Sequence, residues 1–139
     1  MTTPLTFGLK IPSRFSYLND LVLDESFTEL APANLGLQLS VREVEQVKTL
    51  STWSEYVKIE KVDIKNPNVS VFYDNKGSIQ QVDIIAKGDY TDNGIEDLVL
   101  FTGNGVEGGS HFSSHIFVLS RDEPDSKLEL VEEPRLLDY

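Results

Sequence analysis

The chain has 139 residues, a mass of 15.6 kDa and no cysteine. That length suits one ordinary domain spanning 1–139, and the missing thiols exclude a disulfide scaffold, a thiolate metal site and cysteine nucleophilic chemistry. Twelve basic residues against 23 acidic ones give a net charge of −11 and a pI near 4.5, which argues against nucleic-acid binding through phosphate neutralisation.

Met1 to Lys10 lack the basic start and apolar run of a signal peptide, so a cytoplasmic protein is expected. Apolar runs reach only about four residues, too short to span a membrane. Asn68-Val69-Ser70 matches the glycosylation pattern and, with no leader, reads as chance. In the N-terminal third, Pro4, Gly8, Pro12, Pro32 and Gly36 break the pattern into loops. Ser40 then opens the best helix: Glu43 completes a capping box, and Val41, Val44, Val47 and Leu50 share a broad apolar side expected to pack into the core. Trp53 and Tyr56 at its far end are expected to anchor that core.

From Tyr56 the period changes to two, the mark of strands. Val57 and Ile59 fall out of phase with Val62 and Ile64, and a bulge near Glu60-Lys61 would repair the slip. Val69 to Tyr73 is β-branched and aromatic, Asp74-Asn75-Lys76-Gly77 makes a tight turn, and Ile79 to Ala86 returns. Leu98 to Phe101, His111 to Leu119 and Leu128 to Val131 supply further strands, the last a weak edge. The expected fold is α+β, with a mostly antiparallel sheet of about five to six strands in the C-terminal two-thirds and helix and irregular loops at the N-terminal end.

Between two of these strands runs Gly88-Asp89-Tyr90-Thr91-Asp92-Asn93-Gly94-Ile95-Glu96-Asp97. Oxygen-bearing side chains at Asp89, Thr91 and Asn93, a carbonyl near Ile95 and a closing Asp97 are a candidate set for one hard cation such as calcium. Leu100 stands where an EF-hand requires glutamate, so the loop is not an EF-hand. The stretch from Ala86 to Phe101 instead resembles the calcium loop of FG-GAP or VCBS-type repeats. That resemblance implies calcium at Asp89, Thr91, Asn93 and Asp97. The unit occurs once, so no propeller follows. Thr91 and Asn93 replace more acidic residues of the family pattern, leaving Asp89 and Asp97 as the charged ligands. The alternative reading of the same residues is tight-turn chemistry, since Asp, Asn and Gly also tolerate left-handed backbone and cap amides.

Gly103-Asn104-Gly105-Val106-Glu107-Gly108 spells a dinucleotide fingerprint, but a strand rather than a helix follows it, so a flexible glycine loop is expected. His111 and His115, the only histidines, would lie about 13 Å apart along a strand and could not share one metal ion. Ser110 lacks the G-x-S-x-G elbow. No nucleophile–base pair is placed, so no catalysis is expected.

Charge is uneven. Residues 1–88 carry 11 acidic and 9 basic side chains, whereas 89–139 carry 12 and 3, a net of −9. Such asymmetry fits either a solubilising face or a surface for a positive partner. In composition the chain resembles bacterial toxin-immunity proteins, and that resemblance implies an inhibitor of a basic toxin domain. Asp122, Glu123, Glu132 and Glu133 are the candidate partner-binding residues; neither nucleic acid nor a membrane is expected as a partner.

Overall fold

The computed structural model describes residues 16–110 and 112–136, with side chains as far as Val131. Six antiparallel strands follow one another in sequence order: β1 (Ile59–Asn66), β2 (Val69–Asp74), β3 (Ser78–Gly88), β4 (Asp97–Val106), β5 (Phe112–Ser120) and β6 (Glu129–Leu136). Before them lie a 3-10 turn over Glu25–Glu29, another over Ala33–Leu35, helix α1 (Val41–Val47) and the single turn α2 (Trp53–Tyr56). The molecule is therefore mostly sheet, with a smaller helical share than the α+β expectation carried. No helix among the described residues is long and apolar enough to cross a membrane.

Alternation sorts the strands into two faces. Phe72, Gln80, Val82, Leu98, Leu100, Asn104, Phe117 and Leu119 are buried on the inner face, which the N-terminal segment covers. Phe27 and Trp53 lay their rings against Phe72, at 6.3 and 4.9 Å between centroids. Trp53 and Tyr56 do anchor the core, as expected. The Pro32–Thr52 bridge and Trp53 N–H to the Ala31 carbonyl hold the N-terminal segment together, and Leu128 N–H to the Leu30 carbonyl ties it to the chain entering β6.

Several expectations hold in detail. The register of β1 slips between Ile59 and Lys61, at the expected bulge. Gly77 closes the β2–β3 turn at φ +85°, a left-handed position that glycine adopts without strain. Ser40 caps α1 by accepting from the Glu43 N–H, while the Glu43 carboxylate reaches back to Leu39 N–H.

Three expectations are corrected. The strand does not begin at Tyr56: Glu55 accepts from the N–H groups of Ser51 and Thr52, closing a helical turn that delays β1 to Ile59. The apolar side of α1 is core only in its second half: Val41 is 81% and Val44 40% exposed, while Val47 is buried and Leu50 packs against the core. The glycine segment is not a loop: Gly103 pairs with Gln81 and Ser114, and Gly105 with Ile79 and Phe112, so β4 runs on to Val106. The turn is left to Glu107, Gly108 and Gly109, with Gly108 at φ +70°.

Candidate functional site

A meander sends alternate connections to opposite ends of its sheet. Residues 67–68, 89–96 and 121–128 therefore share one end, and residues 75–77 and 107–110 share the other. The first end collects most of the residues singled out in the sequence.

The 89–96 loop is held from inside. Asp89, buried, accepts from Asn93 N–H at 3.1 Å through Oδ1 and from Gly94 N–H at 2.7 Å through Oδ2. Asp97 is wholly buried, and its Oδ2 accepts from the N–H groups of Tyr90 at 2.8 Å and Thr91 at 3.1 Å. The Asn93 Oδ1 accepts from Ile95 N–H. Asp92 at φ 63° and Gly94 at φ 83° bend the chain so that these amides converge. Asp89 and Asp97 thus perform the turn chemistry open to these residue types. Burial pushes the Asp89 carboxyl up, but four backbone amides from Thr91 to Gly94 together hold it below the usual carboxylate range. Burial pushes Asp97 above that range, against hydrogens from Tyr90 and Thr91, and the Asp89 charge adds to the rise.

One atom is left over. Asp97 Oδ1 is buried and has no hydrogen-bond partner. A buried carboxylate oxygen without a donor is costly, and such groups mark either a bound water or ion or a store of strain. The donor set offers two carboxylates, Asp89 and Asp97, with Thr91 and Asn93 on the exposed side of the loop. Among the described residues no three His, Cys, Asp or Glu side chains converge in a metal-binding group.

The 121–128 loop lies against the first, with Asn93 Nδ2 donating to Asp122 Oδ1 at 3.4 Å. Its single arginine faces inward. Arg121 is 4% exposed; its Nε donates to Ser126 O at 2.7 Å, and its Nη1 donates to Tyr17 O and to Asp20 Oδ1, both at 3.0 Å. The acids around it remain outside. Asp20 is 71% exposed, and Asp92, Asp122, Glu123 and Asp125 are all exposed. A cation has been drawn into the interior while its acidic neighbours face water. This withdrawal of Arg121 is not encoded in any local motif.

Asp122 and Glu123 thus join the Asp89–Asp97 loop at one end of the sheet. Glu132 and Glu133 do not: they lie within edge strand β6, Glu132 opposite Val118. His111 falls outside the described residues. His115 is half-buried on the inner face, its Nδ1 3.2 Å from Asn104 Nδ2, and burial pushes its pKa down. No serine, threonine or carboxylate bonds to it among the described hydrogen bonds.

Comparison with protein-family models, with curated proteins and with solved structures returns no match.

Proposed function

We propose that the protein is a small non-enzymatic interaction protein that binds a basic protein partner through the acidic loops at one end of its sheet. The carrying observation is the pairing of exposed Asp20, Asp92, Asp122, Glu123 and Asp125 with the inward-turned Arg121. At this end the exposed carboxylates outnumber the exposed Lys127 of the same loop, and such an excess of one sign focuses field toward an oppositely charged molecule and speeds its capture. The compositional likeness to toxin-immunity proteins supports a partner that is a basic toxin domain, with the chain as its inhibitor. The test is affinity capture from a bacterial lysate with the wild-type chain and with an Asp122→Lys, Glu123→Lys variant as parallel baits. A basic protein retained by the first and lost by the second supports the reading; a partner retained equally by both, or itself acidic, removes it.

A second reading is favoured by Asp97 Oδ1: a calcium-stabilised β module in which Asp97 and Asp89, helped by Thr91 and Asn93, hold the ion. Calcium would supply the charge that a buried, donor-less oxygen lacks, and it takes six to eight oxygens, so several would come from water or main chain. Two charged ligands imply weak binding.

A further inference from the structure

At the other half of the inner face is a cavity of about 310 Å³, lined by the 34–38 loop, Val44, Asn104, Ser113, His115 and Phe117. That volume lies at the lower end of the range for small-ligand pockets. Its walls are fixed by hydrogen bonds. Leu37 O accepts from the Tyr56 hydroxyl at 2.8 Å, and Leu37 N–H donates to Gln80 Oε1 at 3.0 Å. Leu35 O accepts from Gln80 Nε2 at 2.7 Å. The site is therefore formed before any ligand arrives, which lowers the ordering cost of binding.

These bonds also orient every polar group down to the cavity floor. Leu37 N–H has only a hydrogen to give, so Gln80 must face it with oxygen. Gln80 Nε2 then serves Leu35 O and, at 2.9 Å, Asn104 Oδ1. Asn104 in turn faces His115 Nδ1 with its amide nitrogen, at 3.2 Å. Nδ1 accepts that hydrogen, and burial keeps the ring neutral at pH 7. The remaining hydrogen of His115 therefore sits on Nε2. With one hydrogen of Asn104 Nδ2 given to His115, the other is shared between the Thr102 and Ser113 hydroxyl oxygens, each at 3.4 Å, and the Ser113 hydroxyl can turn its own hydrogen to a ligand.

We propose that this cavity binds a small uncharged molecule with a compact apolar body and one carbonyl-type acceptor, which takes hydrogens from His115 Nε2 and Ser113 Oγ. Leu35, Leu37, Val44 and Phe117 supply the apolar contacts. No lining residue is charged, so neither an anion nor a cation finds a counter-charge there. The proposal is independent of the acidic loops, which lie at the end where β3 meets β4 and β5 meets β6.

The test uses the full ¹⁵N-labelled chain and three probes: benzamide, toluene and benzoate. Benzamide is expected to shift the amides of residues 34–38, 44 and 113–117 saturably, with a dissociation constant on the order of millimolar. Toluene lacks the acceptor and loses both hydrogen bonds, and benzoate brings a charge that nothing in the cavity pairs, so each binds at least about tenfold more weakly. His115→Phe weakens benzamide toward the level of toluene, with Ser113 left as the one donor. Val44→Trp, at an exposed position that folding tolerates, blocks the mouth and abolishes binding of both. The imidazole ¹⁵N shifts should report the Nε2–H tautomer at pH 7. Unsaturable shifts, benzamide binding that survives Val44→Trp, or the Nδ1–H tautomer would overturn the proposal.

Discussion

Gly36 lets the chain pass over Tyr56 at a distance no other residue could hold. A β-carbon there would lie 2.5 Å from Tyr56 Cδ2 and 3.1 Å from Trp53 Cδ1. Both rings are packed and neither can swing away, so Gly36→Ala should cost about 1–3 kcal/mol in a urea titration, by overpacking. The same Tyr56 ring has its hydroxyl pKa pushed up to about 12 by burial and by Glu43 and Asp74, and it stays neutral through the working pH range. His115 gives the sign of a pH effect. Its folded pKa lies below the ordinary 6.5 because burial disfavours the charged ring. Between the two values the unfolded chain binds more protons, so its contribution to stability falls as pH drops through about 6.5 and levels off below the folded value. Urea midpoints across that window should show the fall in the wild type and a flatter curve in His115→Phe. The position of His115 on a strand was readable from the alternation about it. The relay behind it was not. The one available signal was Gln80, a polar residue in the inward register of Ser78, Val82 and Ile84, and a sequence gives no partner for such a residue.

Elements were legible where two-residue alternation met turn chemistry, as in the β2–β3 hairpin and the bulge of β1. They were not legible where side-chain pattern and burial part company. Helix α1 has the spacing of an amphipathic helix, yet it lies so that Val41 and Val44 face outward. Its stability should therefore come from its cap more than from its valines. Ser40→Ala is expected to cost about 1 kcal/mol, whereas Val41→Lys should stay within about 0.5 kcal/mol of wild type; thermal melts of the two variants decide it. Strand β4 was cut short in the sequence because Gly103 and Gly105 weaken strand propensity, while the long neighbours β3 and β5 pair them regardless. The Asp89–Asp97 loop carries its own experiment. With Asp97 Oδ1 as a calcium ligand, excess calcium should raise the melting temperature by several degrees over chelator through binding to the native state alone. Asp97→Ala should abolish that difference. Equal melting temperatures with and without calcium would leave the loop as amide capping by Asp89 and Asp97.

Across the whole molecule the sign of the charge was legible and its placement was not. The excess of acid after residue 89 could be counted, but counting grouped Asp122 and Glu123 with Glu132 and Glu133, which the meander sends into an edge strand. It also left out Asp20, which lies in the other half of the chain, did not set Asp92 and Asp125 apart from the other acids, and could not foresee that Arg121 leaves the surface. Fields of exposed charges act over about 8 Å at physiological ionic strength, so steering by this end should fade as salt is added. With Asp122 and Glu123 on the rim of the proposed interface, their reversal should slow association more than it hastens dissociation. The most direct measurement is stopped-flow association of the captured basic partner with the wild-type chain and with Asp122→Lys, Glu123→Lys, in a salt series. The wild-type rate constant should fall at least about tenfold between low and high salt, and the variant should start low and change little. A wild-type rate that ignores both salt and the charge reversals would contradict recognition through the acidic loops.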